Sequence, residues 1–197
     1  METNKEHLNI LLKAMPPRFK DLKPNTNLYI EAKGGKSFLI TGTVGTGKTR
    51  LLLEILLADM LSNFEVIRTV NFDEAYFDKN PQSYIPKVNK KFLTVPDVLR
   101  RIKEEFDKPA HPSFIDNMMN SDILYLDDLG TEKASDWVKE QLYLVINHRY
   151  NYMKSTVITT NLSVSEIAES YGERFASRLV EMCEIIKLVG EDRRTQK

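Results

Sequence analysis

The chain has 197 residues, 42% of them hydrophobic, and its 28 basic side chains balance 28 acidic ones. That length suits one well-buried domain, and the even charge excludes a net-charge argument for a nucleic-acid or membrane partner. The single cysteine, Cys183, excludes an intrachain disulfide and a cysteine-built zinc site; with no signal-peptide pattern and an apolar stretch at Leu51 to Leu61 broken by Glu54 and Asp59, a soluble cytoplasmic protein is expected.

Residues 1–36 hold Pro16, Pro17 and Pro24 without a sustained period, which predicts a partly irregular arm with one short helix ahead of a domain over 37–197. Ser37 to Thr41 is a continuous apolar run of strand length. After a glycine loop, Leu53, Leu56, Leu57, Met60 and Leu61 recur at helical spacing. Phe64 to Phe72 reads as a second strand, followed by a loop marked by Pro81 and Pro86. Thr94 to Phe106 reads as a helix opened by Thr94 and Asp97. Asp122 to Leu126 is a third strand, Ala134 to Met153 a helix and Ser155 to Thr160 a fourth strand. Ser163 and Glu166 make a capping box, Gly172 to Cys183 a further helix and Ile185 to Val189 a short fifth strand. Strands alternating with helices predict an α/β fold with a parallel sheet, helices on both faces and ligands at the carboxyl ends of the strands.

The loop Gly42-Thr43-Val44-Gly45-Thr46-Gly47-Lys48-Thr49 fits G-x-x-x-x-G-K-[ST] between a strand and a helix. Its glycines let backbone N–H groups face phosphate oxygens, and the helix adds its positive end. Lys48 is expected to reach the β and γ phosphates of ATP and Thr49 to offer its hydroxyl to Mg²⁺, with Arg50 grouped alongside. Hydrolysis needs a second acidic group, and the strand Ile123 to Leu126 ends in Asp127 and Asp128. Asp127 is placed at the metal and Asp128 where it orients an attacking water. Asn161 closes the fourth strand at the same sheet edge, where its amide could help hold that water. In Gly172-Glu173-Arg174-Phe175-Ala176-Ser177-Arg178-Leu179, two arginines four apart share one helix face.

The set GTVGTGKT, ILYLDDLG, VITTNL and GERFASRLVE, in this order over about residues 14 to 194, resembles the AAA+ ATPases of the helicase-loader type (DnaC and DnaI) and their IstB-type transposition relatives. The resemblance implies a P-loop NTPase of AAA+ type with a five-stranded parallel sheet ordered fifth, first, fourth, third, second. It also implies that Asn161 is a sensor and that Arg178, with Arg174 as second candidate, acts as an arginine finger on a neighbour's ATP. Only Glu184 to Lys197 follow the finger helix, so no separate helical lid is expected, and a second sensor could come only from Arg193 or Arg194. The implied function is a slow, ATP-binding DNA-replication ATPase that forms an ATP-dependent homo-oligomer on single-stranded DNA and acts on a replicative helicase or transposase. A transposition helper and a P-loop small-molecule kinase are the alternatives.

Between Lys87 and Lys103, Lys87, Lys90, Lys91, Arg100, Arg101 and Lys103 stand against the one acid Asp97, with Phe92 among them. A basic stretch with an aromatic could follow a single-strand backbone and stack a base. The loader resemblance points to the same region.

Overall fold

In the computed structural model of the chain, residues 2–15, 17–63, 90–106, 114–130 and 135–192 are described. Helices α1 (Glu2–Ala14) and α2 (Thr26–Lys33), separated by a short 3-10 turn at Pro17–Phe19, precede strand β1 (Ser37–Gly42). Helix α3 (Lys48–Ser62) leaves the glycine loop. Strand β2 (Lys90–Thr94) runs directly into α4 (Val95–Phe106), and α5 (Phe114–Asn120) leads to β3 (Ile123–Leu129). There follow α6 (Asp136–Asn151), β4 (Ser155–Thr160), α7 (Val164–Tyr171), α8 (Glu173–Met182) and β5 (Cys183–Leu188).

Parallel pairings join the strands in the order β2-β3-β4-β1-β5. All carboxyl ends therefore lie at one edge. Side chains alternate across each strand, and both faces are covered. Phe38, Ile40, Ile123, Tyr125 and Val157 belong to a buried cluster with α1, α2 and α3, whereas Leu39, Leu124, Leu126 and Ile158 belong to a second one with α4 to α8. That double burial explains why the central strands read as unbroken apolar runs.

Three expectations change. The first 36 residues, expected as a partly irregular arm with one short helix, carry two helices, and Leu11, Met15, Leu22, Tyr29 and Ala32 are buried against α3. Leu8, Leu11, Leu12 and Met15 form an apolar face at helical spacing, and the nearby prolines hid it. The predicted second strand at Phe64 to Phe72 lies outside the described residues. The strand that pairs with β3 is Lys90–Thr94, in register from Lys90 opposite Ile123 to Thr94 opposite Asp127. The last strand begins at Cys183 instead of Ile185, because α8 ends at Met182.

Helix starts follow their caps. Thr94, the last residue of β2, accepts the Asp97 N–H at 3.3 Å and donates its hydroxyl to the Asp97 carboxylate at 2.6 Å. Ser163 and Glu166 form the full reciprocal box at the start of α7.

At the amino-terminal end of the sheet, Arg149 of α6 is completely buried. Its Nε donates to Thr156 Oγ1 at 2.9 Å, Nη1 to the carbonyls of Met118 and Ser121 at 2.8 Å each, and Nη2 to the carbonyl of Ser155. The guanidinium thus satisfies carbonyls at the end of α5 and at the starts of β3 and β4, where a helix C-terminus also favours a cation. Burial lowers its pKa to about 9, against the opposing pull of Asp122, so it remains a cation at neutral pH.

Replacing Arg149 by alanine leaves these carbonyls unsatisfied around a cavity, and a loss on the order of 3–5 kcal/mol is expected. Thermal melts followed by circular dichroism should show a midpoint lower by roughly 10 °C. Arg149→Lys, which keeps the charge but not the planar fork, should fall between wild type and Arg149→Ala.

Candidate nucleotide-binding site

Strand β1 delivers the chain into the glycine loop, and α3 begins at Lys48. Gly45 and Gly47 adopt φ values of 80° and 98°, the left-handed region that side chains disfavour. The Asp192 carboxylate lies against this turn: a Cβ on Gly45 would stand 1.8 Å from its Oδ1, so a side chain here would have to displace it. The loop is pinned from within by Thr46, whose hydroxyl donates to the Thr43 carbonyl at 2.8 Å. Lys48 is 6% exposed, and its ammonium donates to the carbonyls of Gly42 at 2.9 Å and Thr43 at 2.8 Å. Arg50 faces another way: it pairs with Asp21 at 3.0 Å and Glu54 at 3.2 Å, tying the segment after the 3-10 turn to the first turns of α3.

The carboxylates lie on β3. Register passes from Leu126 opposite Ile158 to Leu129 opposite Thr160, so Asp127 and Asp128 together face one residue of β4, Thr159. This is a β-bulge, a device that re-aims side chains. Asp128 takes φ 60°, and its N–H donates to Thr159 Oγ1 at 2.9 Å. Asp127 is 3% exposed, and its Oδ1 accepts the hydroxyls of Thr159 at 2.6 Å and Thr49 at 3.1 Å. Burial pushes the Asp127 carboxyl above its ordinary range and the Asp128 charge adds to this, while the Thr159 and Thr49 hydroxyls and the Arg18 charge oppose.

Lys48, Thr49, Asp127 and Asp128 therefore gather at the carboxyl edge of β1 and β3. Asn161 follows β4 at the same edge and is exposed. The turns after β3 and β4 touch, because a Cβ on Gly130 (φ 96°) would lie 2.5 Å from Leu162 Cδ1. Arg174 is exposed at the start of α8. Arg178 is half-buried and turned toward α6, its guanidinium carbon 5.0 Å from the Tyr143 ring centroid and 5.5 Å from that of Tyr150. The structure thus holds Arg178 within its own chain by cation–π contact.

The basic stretch is dispersed. Lys87 lies outside the described residues, as do Arg193 and Arg194. Lys90 and Lys91 are on β2, not on a helix. Arg100 is exposed and pairs with Asp97 at 3.6 Å, whereas Arg101 sits 5.0 Å over the Phe114 ring, between α4 and α5. Sequence reasoning missed Thr159, Arg18 and Asp192. Arg18 and Asp192 approach the site from distant parts of the chain, and a threonine within STVITT reads only as a β-branched strand residue.

The donor set fits Mg²⁺ with a nucleotide. A buried carboxylate beside a hydroxyl at the start of a helix supplies two hard oxygen ligands, and Mg²⁺ is ordinarily bound by one or two protein ligands plus substrate phosphates. Among the described residues no group of three or more His, Cys, Asp or Glu could cage a metal. No helix among them is long and apolar enough to cross a membrane.

A family model described as "IstB-like ATP binding protein" matches residues 87–197, more than half of the chain, beginning beyond the glycine loop. Similar proteins include the uncharacterized protein YqaM of Bacillus subtilis, 28% identical over 170 residues covering 83% of this chain and 46% of that protein. The replicative helicase loader DnaI of Bacillus subtilis is 24% identical over 179 residues, covering 84% of this chain and 50% of the loader. The chain spans about half the length of these curated relatives. A crystal structure of the DnaC helicase loader aligns with a TM-score of 0.62 at 27% identity, covering 83% of this chain and 86% of that one.

Asp127→Asn removes a buried charge while keeping an acceptor for Thr49 and Thr159. The variant should melt at a higher temperature than wild type without added nucleotide, about 2–4 °C for each kcal/mol relieved. An unchanged or lower midpoint in calorimetry would contradict the burial cost assigned to this carboxylate.

Proposed function

The chain belongs to the IstB-like ATP binding protein family, and on that premise we propose that it is a slow, Mg²⁺-dependent ATPase of the helicase-loader type. One observation carries the reading: a buried Asp127 bonded to the Thr49 hydroxyl of the glycine loop, with Asp128 beside it in the bulge, partly exposed and at φ 60°. A nucleotide carrier would need the loop alone. The paired acids supply what hydrolysis adds.

In this reading the N–H groups of the loop and the Lys48 ammonium hold the β and γ phosphates of ATP. Thr49 and Asp127 would hold Mg²⁺, which would neutralise charge developing on the phosphate oxygens. Asp128 orients a water for in-line attack on the γ phosphorus and takes its proton; the bond to the β–γ bridging oxygen breaks, leaving ADP and phosphate. Asn161, exposed at the end of β4, contributes to holding the water. Arg174 is the arginine presented to a neighbouring copy in an ATP-dependent homo-oligomer, with Arg178 behind it between Tyr143 and Tyr150. The oligomer assembles on single-stranded DNA and acts on a replicative helicase or transposase, a reading supported by the loader relatives and by the family's IstB-like character.

Lys48→Ala should abolish tight ATP binding in isothermal titration with Mg²⁺; because it also removes the bonds to the Gly42 and Thr43 carbonyls, a melt run alongside should show a lower midpoint but still a single cooperative transition. Asp128→Asn should retain binding and lower turnover by 10²-fold or more, the scale of a positioned general base. Wild-type rates in that variant would remove Asp128 from the mechanism.

For DNA, the exposed Arg100 is the testable member of the basic stretch. Arg100→Glu should weaken binding of a labelled single-stranded oligonucleotide at low salt and flatten the log–log salt slope by about 0.7. Equal slopes in fluorescence anisotropy would take Arg100 out of the DNA surface.

A further inference from the structure

Thr159 is completely buried on β4, opposite Ile40 of β1 on one side and the two-residue bulge of β3 on the other. A threonine hydroxyl has one proton to donate and lone pairs to accept with. Here the proton goes to Asp127 Oδ1 at 2.6 Å, and a lone pair takes the Asp128 N–H at 2.9 Å. One side chain thus addresses both acid-bearing residues, one through its carboxylate and the other through its backbone. We infer that Thr159 is a positioning residue of the ATPase site: it fixes the Asp127 carboxylate for the metal and holds Asp128 in the turned-out conformation that presents its own carboxylate to the water.

The inference rests on the ATPase reading. The division of labour around Asp127 gives Thr159 more than a structural role. Both Thr49 and Thr159 bond to the same oxygen, Oδ1. When Thr49 turns its hydroxyl to a metal ion, Thr159 is the remaining side-chain donor that keeps the carboxylate from rotating. The Asp128 N–H needs an acceptor because the bulge interrupts the regular β3–β4 ladder at this point. Valine at this site keeps the shape and strand preference of threonine but offers neither the donor nor the acceptor. Serine keeps both.

Thr159→Val and Thr159→Ser therefore separate the roles. In the full chain, Thr159→Val should lower kcat about 10–100-fold and raise the Mg²⁺ concentration for half-maximal binding of a non-hydrolysable ATP analogue by a similar factor, the usual cost of losing a group that orients a metal ligand. Its KM for ATP should move less than kcat. Hydrogen exchange over residues 123–130 without nucleotide should accelerate in the valine variant, since the Asp128 N–H loses its acceptor. Thr159→Ser should restore kcat and Mg²⁺ dependence to within a few-fold and restore slow exchange. If the valine variant does not fold, Thr159→Ala is read in its place. Unchanged kcat and Mg²⁺ dependence in the valine variant overturns the inference, as does equal impairment in valine and serine. Wild-type protein that binds Mg²⁺ and ATP no better than Lys48→Ala overturns instead the ATPase reading on which it stands.

Discussion

One oxygen atom, Oδ1 of Asp127, carries the site. It accepts a hydroxyl from Thr49 at the start of α3 and another from Thr159 on β4, so two neighbouring strands and the helix that follows the glycine loop converge on a single buried acceptor. A carboxylate that is 3% exposed is costly unless donors answer it, and here two hydroxyls do so while burial still pushes its pKa up. The glycine loop, the bulge and the threonines are arrangements around that charge.

The opposite end of the sheet solves a different problem with the opposite sign. There Arg149 gathers carbonyls from α5, β3 and β4, and no carboxylate is among its hydrogen-bond acceptors. The two ends divide the labour of a parallel sheet: one end is closed by a buried cation bonded to backbone, and the other is left open for chemistry. Between them the strands are held by the two apolar clusters, with Leu39, Leu124 and Ile158 on one face and Phe38, Tyr125 and Val157 on the other. Asp59, fully buried on α3, receives the Tyr125 hydroxyl at 3.1 Å and adds a polar tie within the cluster packed on α1 to α3.

What the sequence discloses is what short range determines. GTVGTGKT and LYLDDL are contiguous and their residue types are scarce in combination, so the placement of Lys48, Thr49, Asp127 and Asp128 at one sheet edge could be read in advance. The stacking of Arg178 and Arg101 could not, because the aromatic faces that receive them, Tyr143, Tyr150 and Phe114, come from other helices. KKFLT reads as a basic surface until β3 supplies the ladder that makes it a strand. The bulge is invisible for a related reason: it is a mismatch of count between two strands, and no property of either strand alone reports it. Thr159 inherits its importance from that mismatch.

Asp128 stands at φ 60°, a conformation that costs most side chains about 1–2 kcal/mol, that glycine visits routinely and that asparagine and aspartate tolerate better than other residues. Chemistry asks this position for a carboxylate, and the backbone asks it for one of those three residues. Aspartate alone belongs to both sets. Glutamate, with the same acid one methylene further out, meets the chemical demand and fails the conformational one. Lengthening the acid at this position would set a longer side chain on a left-handed backbone, so the bulge itself narrows the choice of side chain here through rotation about a single N–Cα bond.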